Sequence, residues 1–165
     1  MNQTDRPKII IVDDEAVVRD SLSDWLEDDG YEVKTAVNGM QGLQQISTER
    51  FNAAVVDIKM PGMDGVTLLK KIKEVDSELP VIMITAHATI ENAVKSMKDG
   101  AYDFITKPFP PEKLSVTLKR VVELGRLKEE NLHLKKERKQ ILHMALSAII
   151  IFTIIAIIFY FLMNK

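Results

Sequence analysis

The sequence predicts an α/β domain built on a parallel sheet with helices on both faces, followed by a charged helical connector and an apolar terminal helix. Three observations carry this. Between residues 8 and about 124, five short runs of aliphatic and β-branched residues alternate with stretches whose apolar residues recur at helical spacing. Each strand-like run ends in polar or charged residues. Residues 141–165 carry a single charge, Lys165, so the apolar content of the chain is unevenly spread.

The elements follow in order. Residues 8–12 (KIIIV) are rich in β-branched side chains, and the acidic turn Asp13-Asp14-Glu15 follows. Val17, Val18, Leu22, Trp25 and Leu26 then recur at helical spacing, and Gly30 ends that helix. Residues 31–36 read as a strand, and Asn38 supplies the cap of a helix running through Ile46. Residues 53–56 form an apolar strand ending at Asp57, and Met60-Pro61-Gly62-Met63-Asp64-Gly65 is a loop. Val66, Leu69 and Ile72 mark the next helix. Residues 81–84 are a strand ending at Thr85, and Ala93, Val94 and Met97 lie on a helix closed by Gly100. A strand over 102–105 leads to Lys107-Pro108, and the last helix starts near Pro111. Strand–helix alternation of this kind gives parallel strands joined by right-handed crossovers.

Composition sets limits on function. With 46% hydrophobic and 28% charged residues the chain is of ordinary globular makeup, which argues against wholesale disorder. The absence of cysteine excludes disulfides, thiolate metal sites and a cysteine nucleophile. A net charge of −2 gives no reason to expect a nucleic-acid partner.

The charge divides the chain into parts. Residues 1–125 form the globular domain, with a net charge of −6, and residues 126–140 form a connector with a net charge of +3. Residues 141–163 hold no Pro, Gly or formal charge, and as a helix they would rise roughly 34 Å against a hydrocarbon core of about 30 Å. A transmembrane helix is therefore expected there, with 164–165 as a short tail. The basic flank Lys135, Lys136, Arg138 and Lys139 places the domain in the cytoplasm, anchored to the inner membrane through its C-terminus.

Within the connector a heptad register sets Leu124 and Asn131 at a, and Leu127, Leu134 and Ile141 at d. Glu123 and Glu130 then fall at g, and Lys128 and Lys135 at e. In a parallel pair each g glutamate faces an e lysine of the other chain, and Asn at one a position is a two-strand register device. A parallel homodimer through a short coiled coil is expected, against the plainer reading of a solvated helix with a few i,i+4 pairs.

The chemistry gathers where the strands end, because sites of open parallel sheets lie at the C-terminal edge. Asp13 and Asp14 follow the first strand, Asp57 the third, Thr85 the fourth and Lys107 the fifth. Any one of these alone reads as a solvated loop residue; five at equivalent positions read as a site. Carboxylates converging at one edge repel, by about 4 kcal/mol for a pair ~4 Å apart at an effective dielectric of ~20. Such a cluster calls for a cation, and an all-oxygen ligand set suits Mg²⁺. Lys107 and Thr85 add a positive charge and a hydroxyl that can meet a phosphoryl group, and one carboxylate can act as nucleophile to form an acyl phosphate.

Taken together, Asp13-Asp14, Asp57 with the segment 58–65 after it, Ile84-Thr85-Ala86 and Lys107-Pro108-Phe109 resemble the receiver domain of two-component response regulators, over residues 7 to about 124. The stretch from Ile84 through Phe109 is most similar to receivers of enhancer-binding transcription activators. The resemblance implies a five-stranded sheet in the order 2-1-3-4-5. It implies Asp57 as the acceptor of a phosphoryl group from a sensor histidine kinase or a phosphotransfer protein. It further implies Asp13, Asp14 and Asp57, with the backbone carbonyl of Lys59, as Mg²⁺ ligands, and Thr85 and Lys107 as contacts of the phosphoryl oxygens. Thr85 and Phe104 would move together as a switch, Lys59 and His87 would tune the lifetime of the acyl phosphate, and the Lys107–Pro108 bond would be cis.

The expected function is that of a membrane-anchored response regulator, not an enzyme beyond its own phosphorylation and dephosphorylation. No G-x-x-x-x-G-K-[ST] or helix-turn-helix follows the receiver in this sequence, so direct transcription activation is not expected. Two alternatives stand beside this. One is a phosphate sink without an effector. The other is a phosphatase with an Asp nucleophile, which is disfavoured because its motif wants Asp where Lys59 stands. A flavin-binding protein of like topology would need Ser or Thr with Gly after the first strand, whereas Asp13-Asp14-Glu15 would repel phosphate unless metal is bound.

Overall fold

A computed structural model describes residues 6–163. The chain divides into two units, Met1–Glu123 and Leu124–Lys165. In the first, β1 (Lys8–Val12), α1 (Ala16–Asp28), β2 (Glu32–Ala36), α2 (Gly39–Thr48), β3 (Ala53–Asp57), α3 (Gly65–Val75), β4 (Val81–Thr85), α4 (Ile90–Lys98) and β5 (Asp103–Thr106) alternate, and α5 (Pro111–Met163) begins there. The five strands are parallel and ordered β2-β1-β3-β4-β5, as the resemblance implied.

The sequence of the inner strands explains their position. β3 and β4 are buried along their whole length, and in β1 only Lys8 is not. A parallel sheet covered on both faces needs such unbroken apolar runs, with successive residues serving opposite faces. Accordingly Ile10, Val12, Ala54, Val56 and Met83 pack with Ile46 of α2 and Leu68, Leu69 and Ile72 of α3. Ile9, Ile11, Val55, Ile82 and Ile84 pack on the other face with Leu22 and Leu26 of α1 and Leu114 and Leu118 of α5. β2, at the edge, keeps Glu32, Lys34 and Thr35 exposed, which blunts strand addition.

Local chemistry bounds the helices. Asn38, Asp64 and Thr89 each accept a backbone N–H three residues on, from Gln41, Thr67 and Asn92. α1 ends before Gly30, whose φ of 94° belongs to the left-handed region. In α4 the apolar positions that mark the helix are not the ones it buries. Val94 and Met97 are about half exposed, whereas Ser96 is fully buried.

One expectation is overturned. Among the described residues no helix is long and apolar enough to cross a membrane, so neither the transmembrane helix over 141–163 nor the inner-membrane localisation that rested on it stands. The side chains described beyond Gln140 are those of 141–147, Tyr160, Leu162 and Met163. The side chains at 148–159 and 161, on which the rest of the expectation fell, lie outside the described residues.

Candidate functional site

Parallel pairing brings the strand ends to one edge. Val12 pairs with Val56, Asp57 with Ile84, and Thr85 with Thr106. Asp13 lies one residue past β1, Asp57 and Thr85 are the last residues of β3 and β4, and Lys107 lies one past β5.

Lys107 joins the two buried carboxylates. Its Nζ donates to Asp13 Oδ2 at 2.6 Å and to Asp57 Oδ1 at 2.9 Å. The Asp13 side chain is inaccessible, that of Asp57 is 7% exposed and that of Lys107 14%. The backbone carries Lys107 there, since its amide donates to the Thr85 carbonyl at 2.8 Å. The Lys107–Pro108 bond is cis, as the resemblance implied. The second oxygen of Asp57 accepts the Lys59 amide at 2.6 Å, and Asp13 Oδ1 accepts the Glu15 amide at 2.9 Å. Each acid is thus gripped by a turn of its own following segment.

Burial pushes the Asp57 carboxyl above the usual carboxylate range and the Asp13 charge adds to this; the Lys107 ammonium and the Lys59 amide pull the other way without restoring it. For Lys107 burial works against the charge, but the bonds to Asp13 and Asp57 outweigh it and hold the ammonium above its ordinary value. Two buried carboxylates facing one ammonium leave the site short of positive charge, while Asp14, next in the chain after Asp13, is exposed.

The remaining predicted residues are placed as follows. Thr85 is buried, and its Oγ1 accepts the amide of His87 at 3.2 Å. His87 and Lys59 are exposed. Phe104, half-buried on β5 opposite Met83, packs against the α3-side core. Among the described residues no group of three or more Asp, Glu, His or Cys is gathered so as to hold a metal ion. The structure therefore brings Asp13, Asp57 and Lys107 into contact and leaves Asp14 at the rim.

Arg19 carried no signal of its own in the sequence, and Gly65 entered only as the end of the segment that follows Asp57. Arg19 Nη1 donates to the Asp13 carbonyl at 2.7 Å, which follows only once α1 is known to start at Ala16. Gly65, in the expected loop, instead opens α3 and donates its amide to the Ile58 carbonyl at 2.9 Å, directly behind Asp57.

The model of the response regulator receiver domain family matches residues 9–119. The chain belongs to this family. Over 130 residues it is 42% identical to the nitrogen assimilation regulatory protein NtrX of Azorhizobium caulinodans, covering 78% of this chain and 29% of that protein. It is 37% identical over 130 residues to the C4-dicarboxylate transport transcriptional regulatory protein DctD of Rhizobium meliloti, covering 79% and 28%. The chain thus spans less than a third of the length of these curated relatives. Among solved structures, the CheY-like receiver domain protein of Methanospirillum hungatei superposes with a TM-score of 0.73 at 37% identity, covering 75% of this chain and 99% of that one. The receiver fold and its membership in two-component signalling are therefore those of this chain.

Proposed function

We propose that this receiver is a phosphorylation switch in which Asp57 takes a phosphoryl group from a phosphohistidine of a sensor kinase or phosphotransfer protein. The observation that carries the reading is the buried Asp57 carboxylate, at the end of a central strand, with one oxygen on the Lys107 ammonium. In the transfer a carboxylate oxygen of Asp57 bonds to phosphorus, the phosphorus–nitrogen bond breaks, and the donor imidazole keeps the electron pair. Lys107, already within 2.9 Å of Asp57, stays beside the phosphoryl oxygens and offsets their charge. The Thr85 hydroxyl, whose oxygen accepts the His87 amide, turns its O–H to donate to the same group, and Phe104 follows it inward. Lys59 and His87, exposed at the mouth, govern the approach of water and so the lifetime of the acyl phosphate.

The donor chemistry fits Mg²⁺: every available ligand is an oxygen, and the carboxylates outnumber the one ammonium. Asp13, Asp14 and Asp57 would hold the ion with the Lys59 carbonyl, and it would supply the positive charge that the transferred phosphoryl group needs. Beyond turning over its own phosphoryl group the protein is not an enzyme in this reading.

The second unit supports a partner reading. Leu124, Leu127, Leu134 and Ile141 are exposed along the helix at a and d spacing, and a second copy of the chain, parallel and in register, would cover them. The charges suit that occupant, since g glutamates 123 and 130 each stand five residues before an e lysine, 128 and 135.

The test of the switch is incubation with acetyl phosphate and Mg²⁺, followed by intact-mass measurement. The wild type gains one phosphoryl group and Asp57→Asn gains none; labelling of both or of neither overturns the reading.

A further inference from the structure

Asp13 is held at every polar group it owns. Its amide donates to the Ala36 carbonyl at 3.2 Å, and its carboxylate accepts the Glu15 amide and the Lys107 ammonium. The remaining group, its main-chain carbonyl, accepts Arg19 Nη1 at 2.7 Å. That carbonyl lies in the peptide joining Asp13 to Asp14, one residue beyond the end of β1, where the ladder no longer supplies a partner. Arg19 reaches it from the first turn of α1, whose N-cap residue, Glu15, makes no side-chain cap hydrogen bond. Half-buried Arg19 thus ties the first turn of α1 to the β1–α1 turn.

We infer that Arg19 is a positioning residue for cation binding. By fixing the plane of the Asp13–Asp14 peptide it sets the direction in which Asp14 leaves the strand, and so where at the rim its exposed carboxylate stands. This rests on the reading that Asp13, Asp14 and Asp57 hold Mg²⁺. The side chain touches none of the groups that would meet the ion, and it acts through the backbone of two that would.

The sign of the effect separates this role from two others. A positive charge near a carboxylate cluster opposes a cation, so if Arg19 acted by charge alone its removal would tighten Mg²⁺ binding. If it only braced the fold, its removal would lower the thermal midpoint and leave affinity alone. As a positioning residue its loss weakens binding, by the 10-fold order typical of groups that orient metal ligands from the outer shell.

The experiment is calorimetric titration of the full chain with MgCl₂ for the wild type, Arg19→Ala and Arg19→Lys, with thermal midpoints taken in EDTA. The dissociation constant is expected to rise about 10-fold in Arg19→Ala and to return most of the way in Arg19→Lys, which keeps a donor on a long stem. An Ala variant that binds as tightly as the wild type or more tightly, or a Lys variant no better than Ala, overturns the role. If Arg19→Ala does not fold, Arg19→Gln against Arg19→Lys makes the same comparison. A wild type that binds no Mg²⁺ removes the metal reading and this role with it; a wild type that binds beside an unaffected Ala variant removes this role alone.

Discussion

Gly65 stands so close behind Asp57 that a Cβ on it would lie 2.1 Å from the Asp57 carbonyl oxygen and 2.8 Å from the Ile58 Cα. Both neighbours are backbone, so neither can rotate away. The start of α3 is thereby packed onto the strand end that carries the candidate phosphoacceptor. Gly65→Ala forces the two apart and is expected to cost about 1–3 kcal/mol or more. Urea denaturation of the variant measures this, and an unchanged midpoint would show that the loop absorbs the methyl group.

Lys107 is the counter-charge of two buried carboxylates, so its removal exposes their repulsion. Lys107→Met is expected to lose about 3–5 kcal/mol near neutral pH, the usual cost of orphaning a buried charge. The loss shrinks in acid, where Asp57 takes a proton. In the wild type the raised Lys107 value means that its contribution is fully present below 10.5 and disappears only as pH rises through the folded value. Denaturant midpoints across pH would show the variant's deficit narrowing on acidification; a constant deficit would exclude the charge explanation.

Asp57 carries the opposite linkage to an ordinary carboxylate. Its folded value lies above 3.8, mainly because of burial, so the native state binds the proton more readily than the unfolded chain. Stability therefore falls as pH rises from 3.8 through the folded value. Asp57→Asn removes that dependence. Its denaturation midpoint should equal or exceed that of the wild type at pH 7, with the difference vanishing below pH 3.8. A variant less stable than wild type at pH 7 would contradict this.

Asp64 behaves in the usual direction. Its Oδ1 accepts the Thr67 amide at 2.7 Å, and that bond holds the carboxyl below its ordinary value of 3.8. The contribution is present above 3.8 and is lost as pH falls through the lower folded value. Asp64→Ala should cost about 1 kcal/mol at neutral pH, as N-cap removals do, and less in strong acid. Thermal melts at pH 7 and at pH 2 compare the two conditions.

The cysteine-free sequence offers a direct probe of the proposed dimer. In a parallel, in-register pair the d positions face their own copies, so Leu127→Cys and Leu134→Cys should each form an interchain disulfide on mild oxidation. Glu129→Cys, on the outer face of the same helix, should not. Equal cross-linking at all three positions, or none, would remove the coiled-coil reading.

Much of this protein can be read along the chain. The strand runs, the caps at Asn38 and Gly30, and the polar residues after each strand are local properties, because side-chain period and turn chemistry act over a few residues. Val94 and Met97 show the limit. They mark α4 as a helix, yet which face it buries depends on the sheet beneath it, and there Ser96 goes inside. The terminal apolar run shows another: its composition led to an expected membrane span that the described residues do not support.

The sequence by itself determined the α/β class of the first unit and which polar residues follow its strands. Only the tertiary structure decided which of them touch. Asp13 and Lys107 are 94 residues apart, and register and burial bring an ammonium between two acids while leaving Asp14 outside. Arg19 and Gly65 act through backbone carbonyls, which every residue possesses. Their importance lies in where those carbonyls point once the strands are paired, and that is a property of packing rather than of residue type.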